Sequence, residues 1–304
     1  MRKALKYHGA VVPLVTPLTT QGSLDEAALR RLVDWQIAGG VAGIFVLGTT
    51  GEGAHVPAQL RWQLVARTVA LVNKQALVYA GLGDIRSADL AEANEFFQVG
   101  ADAVVVHPPL SEKLVPEKLL GWYATLLDQV KGPLVLYNMP STTGVSIPLD
   151  AVEQLLGHPR LVGIKDSENN PQRHEELLQR FGGKKDFSVF IGVGALMEPG
   201  LKLGADGIVP SVGNLIPEVC QQLCVAANEA DWNTVAQLAA RMNTVALLYQ
   251  KGRNLNESLA ALKAAMHCRG LCAPQVLPPL RRVSDAELEK IRHQLAELHL
   301  LNVK

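Results

Sequence analysis

One pattern recurs along this chain and leaves few folds open to it. A short β-rich run ends in Gly, Pro, Ser or Thr, and a segment of helical periodicity follows. The runs cover residues 9–17, 43–48, 76–81, 103–108, 133–137, 161–165, 187–192 and 207–211, which makes eight. Each is nearly continuous in apolar residues instead of alternating, as strands are when they are covered on both faces, in parallel sheets with helices outside. The segments between read as amphipathic helices at 24–38, 58–73, 87–99, 116–130 and 149–156. The first is expected to open after Ser23, with Asp25 and Glu26 in its first turn, where helix starts favour acidic groups. The phrases AGGVAGIFV, VGADAVVV and LGADGIVP share one logic: a helix ends at glycine, and a tight turn feeds a buried strand.

Eight βα units in series predict an α/β fold, a closed (β/α)8 TIM barrel. After the run ending at Ser211, about 90 residues remain, more than one closing helix needs. Residues 216–230, 232–249, 256–268 and 285–299 read as helices. The expected division is 1–212 for the barrel strands and catalytic face, and 213–304 for a closing helix and C-terminal helical extension. No linker or charge run separates the two, so they are expected to form one continuous unit.

The 304 residues are 48% hydrophobic and 19% charged, which suits a protein with a substantial core. Lys plus Arg number 29 and Asp plus Glu number 29, so no net charge recommends nucleic acid or an anionic membrane as a partner. No run of roughly 18 apolar residues suggests a membrane span. Residues 1–10 are basic and lead straight into a strand-like run without the apolar core of a signal peptide; a cytoplasmic location is expected. The four cysteines, Cys220, Cys224, Cys268 and Cys272, fall in pairs spaced by four, on one helix face if those segments are helical. That spacing admits a metal site, but reduced core residues are the expected state.

In such barrels the chemistry sits at the C-terminal ends of the strands. The rule selects Thr16, 48–52, 82–84, 107–110, 137–140, 165–168, 192–194 and 210–214. Lys165 is the most informative: it follows the apolar LVGI at the end of the sixth run. A lysine in that position loses hydration, and the uncharged amine is the form that attacks a carbonyl. The alternative is a rim lysine paired with Asp166 or Glu168. Tyr137 ends the neighbouring fifth run, where a phenol can shuttle protons; otherwise it is a core aromatic. Gly48-Thr49-Thr50-Gly51-Glu52 ends the second run, and its glycines, N–H groups and hydroxyls can hold a carboxylate; otherwise it is an ordinary turn.

Together, GTTGE, YNMP and GIKDS are more specific than any one of them. With them in place, the sequence resembles the family of dihydrodipicolinate synthase and N-acetylneuraminate lyase. The likeness runs from GAVVPLVTP at 9–17 to PPLRRVSDAELEKIRHQL at 278–295. It implies a pyruvate-dependent class I aldolase in which Lys165 forms the Schiff base and Tyr137 shuttles protons. It implies further that Thr49 and Thr50 bind the pyruvate carboxylate and link to the tyrosine. Pyruvate held as an imine would lose a C3 proton, and the resulting enamine would attack an aldehyde; the reverse cleaves a 4-hydroxy-2-oxo acid. The imine is then the electron sink, and neither a metal nor an organic cofactor is required. The candidate site comprises Lys165, Tyr137 and Thr49 as catalytic groups, with Gly48, Thr50, Thr142, Gly192, Val209 and Ser211 binding substrate. The resemblance also implies a homo-oligomer, tetramer or dimer.

Three departures bear on the substrate. Synthases of lysine biosynthesis usually carry an arginine where this chain has Thr142, and a threonine cannot make the bidentate contact of a guanidinium. Many relatives carry a tyrosine where this chain has Leu110, so the usual intersubunit relay is absent or replaced, with His107 a candidate substitute or a structural histidine. The acidic residues of sialic acid lyases are replaced by Gly194 and Ala195. GIKDS is closer to members acting on 2-keto-3-deoxy sugar acids or 4-hydroxy-2-oxo acids, with Ser141, Thr142, Thr143, Asp166, Ser167 and Ser211 as hydroxyl-binding candidates. That is the favoured function; 4-hydroxy-tetrahydrodipicolinate synthase is the alternative, followed by an N-acetylneuraminate lyase-like or non-catalytic 2-oxo-acid binder. Of the histidines only His107 falls at a strand end, with His55 near the mouth, so a metal-dependent aldolase is disfavoured. A phosphate-binding barrel is disfavoured too, because the turns at 192–194 and 210–213 carry no Lys or Arg.

Overall fold

The repeat closes on itself. In a computed structural model, which describes residues 6–82, 90–109 and 115–301, eight parallel strands pair in sequence order, and β8 returns to β1. The elements in chain order are β1 (Gly9–Pro13), α1 (Glu26–Ala38), β2 (Gly43–Val46), α2 (Ala58–Val72), β3 (Leu77–Gly81), α3 (Leu90–Gln98), β4 (Ala103–Val106) and α4 (Pro116–Gln129). There follow β5 (Leu134–Asn138), the short α5 (Pro140–Thr143), α6 (Leu149–Leu155), β6 (Leu161–Asp166), α7 (Pro171–Phe181), β7 (Ser188–Ile191), α8 (Gly194–Lys202) and β8 (Gly207–Ile208). A 3-10 turn at Ser211–Asn214 leads to α9 (Pro217–Asn228), α10 (Trp232–Gln250), α11 (Leu255–Cys268) and α12 (Asp285–Glu297). Among the described residues no helix is long and apolar enough to cross a membrane.

Strand alternation divides the apolar residues into two layers. Val11, Phe45, Tyr79, Val105, Val135, Tyr137, Phe190 and Val209 fill the barrel interior. Val12, Ile44, Val46, Val104, Leu136, Ile164 and Val189 face outward, into the larger core beneath the helices. The near-continuous apolar runs therefore serve two packing surfaces, as a doubly covered parallel sheet requires.

Several boundaries differ from the sequence reading for local reasons. Helix α1 is capped by Asp25, whose side chain accepts from the Ala28 N–H, rather than by Ser23. A cap of this kind stabilises by about 1 kcal/mol. The eighth strand stops at Ile208 because the chain turns into the 3-10 segment at Ser211. Helix α11 begins at Leu255 behind a full capping box of Asn254 and Glu257. Cys220 and Cys224 lie buried on α9, but Cys268 is the last residue of α11 and Cys272 lies beyond it, so the second pair does not share a helix face. Burial pushes the Cys224 thiol up to about 12 and the Cys272 thiol to about 11. The proposed helix start at Ser87, the strand-end residues Gly83 and Asp84, and Leu110 lie outside the described residues.

Candidate active site

The C-terminal ends of the strands open onto a cavity of about 220 Å³. Phe45, Gly48, Thr49, Val105, His107, Tyr137 and Thr142 line it, and Leu255, Asn256, Leu259 and Leu280 from the C-terminal segment roof it. Lys165 lies in the adjoining barrel interior. It borders a void of about 10 Å³ with Phe190 and Val209, and Phe45 and Val105 line both spaces. A larger groove, about 1000 Å³, lies at the opposite end of the barrel between Lys6, His158, Lys184, Lys185 and Asp206. It contains none of the residues selected from the strand ends, and its size alone gives it no chemistry.

Sheet register places the two central residues. Tyr137 of β5 pairs directly with Lys165 of β6, so both side chains leave the sheet at the same height and on the same face. Lys165 is 6% exposed and Tyr137 3%. The lysine Nζ lies 3.9 Å from the centroid of the Tyr137 ring and 5.1 Å from that of Phe45. The Tyr137 hydroxyl shares a 3.2 Å hydrogen bond with Thr49 Oγ1 and donates to Met139 Sδ at 2.7 Å. Thus the amine sits against the face of the phenol ring, and the phenol hydroxyl is linked in turn to the threonine hydroxyl, across an otherwise apolar barrel mouth.

The turn after β2 completes the opposite wall. Glu52 N–H donates to Thr49 O at 3.0 Å, and Gly53 N–H to Gly48 O at 3.0 Å. Leu47 and Glu52, at each end of the turn, adopt left-handed backbone with φ near 60° and 57°. Non-glycine residues in that region carry of order 1 kcal/mol or more of strain and persist only where the surroundings fix them. Here the surroundings do so on both flanks. Buried Arg61 of α2 donates to Gly53 O (2.6 Å) and Gly81 O (2.9 Å) and pairs with Glu92. On the other flank the Glu52 carboxylate meets Lys263 Nζ at 2.5 Å.

Behind Lys165 the strand end is held by Asp166, which points away from the cavity and is fully buried. Its carboxylate accepts from Asn138 Nδ2 (2.9 Å), Arg173 Nε (2.8 Å), His174 Nε2 (3.1 Å) and the Glu168 N–H (2.9 Å). Burial alone would raise this carboxyl, but the His174 hydrogen bond, the Arg173 charge and the Glu168 N–H together hold it below its ordinary value. Asp166 is therefore not available to bind substrate hydroxyls as the sequence suggested. Ser211 is also committed, sharing a 2.7 Å hydrogen bond with Tyr249 OH, and Thr143 Oγ1 donates to the Met139 and Val145 carbonyls.

The remaining sequence candidates are distributed as follows. Gly48, Thr49, Tyr137 and Thr142 converge on the cavity. Thr50 is buried in the same turn, and Val209 packs below Lys165. At Gly192 a Cβ would fall 2.1 Å from Ser167 Oγ and 3.2 Å from Lys165 Cε, so glycine here keeps the space beside the amine open. His107 reaches the cavity, packs edge-on against Tyr137 at 6.1 Å and contacts Pro108 O through Nδ1 at 2.7 Å. Sequence reasoning selected Asn138 as a strand-end residue without giving it a role, and it missed Arg173 and His174 behind the lysine, and Arg61 and Lys263 around the turn. The Asn170-Pro171 helix start, which puts Arg173 and His174 in the first turn of α7, was a signal for two of them.

Comparison with known proteins settles the lineage. The Dihydrodipicolinate synthetase family matches residues 6–298. The chain belongs to the dihydrodipicolinate synthetase family. Family members of this kind are lyase-type enzymes, class I aldolases. Among its relatives is the 4-hydroxy-tetrahydrodipicolinate synthase of Anaeromyxobacter sp. (strain Fw109-5), 32% identical over 296 residues, which are 97% of this chain and 98% of the relative. Dihydrodipicolinate synthase from Bacteroides thetaiotaomicron superposes with a TM-score of 0.91 at 32% identity, over 97% of this chain and 100% of the other. YagE, a prophage protein of the dihydrodipicolinic acid synthase family from E. coli K12 solved in complex with pyruvate, superposes at 0.88 and 26% identity, over 97% and 99% of the two chains.

Proposed function

We propose that this family member joins or cleaves a carbon–carbon bond through a Schiff base between Lys165 and pyruvate. The carrying observation is the buried Lys165 amine packed on the Tyr137 ring, whose hydroxyl is bonded to Thr49, beside a cavity at the strand ends. In this reading Lys165 Nζ adds to the C2 carbonyl, and the Tyr137 hydroxyl protonates the departing carbinolamine oxygen, which leaves as water. Thr49, bonded to the phenol, passes the proton onward, and the Gly48–Thr50 turn receives the carboxylate. Loss of a C3 proton gives the enamine that attacks the aldehyde, and water then releases the product from the imine. The small-molecule substrate is pyruvate or a related 2-oxo acid with its aldehyde partner.

For the specific activity, the names of the relatives favour 4-hydroxy-tetrahydrodipicolinate synthase, with aspartate semialdehyde as the aldehyde. This reading takes precedence over the sugar-acid aldolase that the sequence favoured. The second reading keeps one observation in its support. Thr142 lines the cavity, and among the described residues its lining holds no arginine to grip the carboxylate of a semialdehyde. A 2-keto-3-deoxy sugar acid, recognised through hydroxyls, suits such a lining.

The test is intact mass after incubation with pyruvate and borohydride, beside Lys165→Ala. One pyruvate-derived adduct on the native chain, absent from the variant, supports the imine; its absence from folded native protein removes the proposal. Condensation assayed with aspartate semialdehyde, against cleavage assayed with 2-keto-3-deoxy sugar acids, then separates the two readings. The expected homo-oligomer is a further proposal, checked by light scattering.

A further inference from the structure

One buried charge pair ties the active-site turn to the far end of the chain. Glu52 closes that turn and is 2% exposed; Lys263 lies in the middle of α11 and is 1% exposed. The Glu52 carboxylate lies 2.5 Å from Lys263 Nζ through Oε1 and accepts the Leu277 N–H at 2.6 Å through Oε2. Lys263 Nζ also donates to Gln275 O at 2.5 Å. Two groups of the C-terminal segment, the Lys263 amine and the Leu277 N–H, therefore converge on one side chain of the second βα turn, and Gln275 O holds the amine in turn.

A pair this deeply buried is weak evidence for stability, because desolvation of both charges offsets most of their attraction. It is better evidence for a fixed geometry, since the carboxylate is held from two sides, by the Lys263 charge at Oε1 and by the Leu277 N–H at Oε2. Glu52 is also left-handed, and its N–H bonds back to Thr49 O, so displacing its side chain displaces the threonine backbone. Leu255, Asn256 and Leu259 of the same α11 roof the cavity.

We propose that Glu52 and Lys263 are positioning residues through which the C-terminal helices set the Thr49–Thr50 turn against Tyr137 and the 2-oxo-acid carboxylate. This rests on the Schiff-base reading for its chemical consequence, but the clamp itself is independent of it. Neither residue touches the reacting atoms; each acts through the turn.

The experiment compares the native chain with Lys263→Met, with the near-isosteric Glu52→Gln, and with the double variant carrying both. Amide hydrogen exchange is followed in the Gly48–Gly53 turn and, as an internal control, in the β6 strand. The expected result is faster exchange in the turn of each folded single variant, with β6 unchanged. Unchanged turn protection in folded Glu52→Gln overturns the proposal, whether or not the native chain forms an imine. Where borohydride trapping succeeds on the native chain, its half-saturating pyruvate concentration should rise about tenfold in both single variants, while the adduct at saturating pyruvate is retained. The double variant, in which no buried charge is left unpaired, should regain melting temperature without regaining the native half-saturation. Parallel recovery of both would mean a structural role only, and would equally overturn the proposal.

Discussion

The two walls of the cavity are built by different means. On the β5–β6 side, Tyr137 and Lys165 are placed by sheet register alone: paired residues on adjacent parallel strands must emerge together. On the β2 side, Thr49 and Thr50 sit in a turn that no ladder controls, with a left-handed residue at each end and cationic side chains of α2 and α11 on its flanks. The first wall is cheap to specify and rigid; the second needs partners from distant segments. Under the proposed Schiff-base reading, a site of this design keeps its covalent chemistry on regular structure and its recognition on a loop held by distant partners.

The contrast can be broken most severely at the phenol. Tyr137→Phe keeps the ring against Lys165 and removes only the hydroxyl. The rate of borohydride-trappable imine formation is expected to fall by about 10²–10⁴-fold, the usual worth of a placed acid–base group. A native-like rate would remove the phenol from the mechanism.

Next in size is the support behind the lysine. Asp166 receives four donors, and in Asp166→Asn the amide NH2 would face some of them, leaving Arg173 with only the partly exposed Glu168 carboxylate at 3.3 Å as counter-charge. The expected loss is about 3–5 kcal/mol of stability, read from urea or thermal unfolding. The pH dependence has a definite sign. Because the folded carboxyl titrates below its unfolded value, its contribution is fully present above the unfolded carboxylate range, near pH 4, and is lost as pH falls through the folded value. The native chain should therefore lose stability on acidification more steeply than Asp166→Asn; equal acid slopes would show that Asp166 is not the group responsible.

Gly192→Ala sharpens the comparison from the side of space rather than charge. Its methyl would meet Ser167 and the lysine stem, and displacement of the amine by a fraction of an ångström is expected to slow trapping by up to about 10²-fold. A fully active Gly192→Ala would show that the room beside Lys165 is not needed. The smallest effect belongs to the opposite end of the barrel. Lys185→Ala, in the large groove there, should change stability by no more than about 0.5 kcal/mol and leave trapping at the native rate. A clear loss of trapping would mean that the groove communicates with the chemistry.

The same contrast explains what could be read from the sequence. The strands, their order and the Lys165–Tyr137 pair were legible, because apolar runs and strand ends are local signals that the barrel rule converts into positions. The helices α1, α2, α4 and α6 and the extension were legible to within a few residues. What was not legible came from pairings across long stretches of chain. Nothing local marks Lys263 as the partner of Glu52, or Arg61 as the cation beneath Gly53 and Gly81. Asp166 was misread for a related reason: strand alternation turns it outward, next to an inward lysine, and only the position of α7 shows that its acceptor sites are already filled.

The tie between Glu52 and Leu277 spans 225 residues, and this bears on biosynthesis. At a translation rate of roughly 5–20 residues per second, the partners of Glu52 emerge some tens of seconds after the turn itself. A nascent chain holding all eight strands would present Lys165 and Tyr137 in register while the turn at Gly48–Gly53 still lacks half of its anchors. The last segment to leave the ribosome would then finish the site as well as the fold, a prediction that protease sensitivity of the turn in chains stalled before α11 would check.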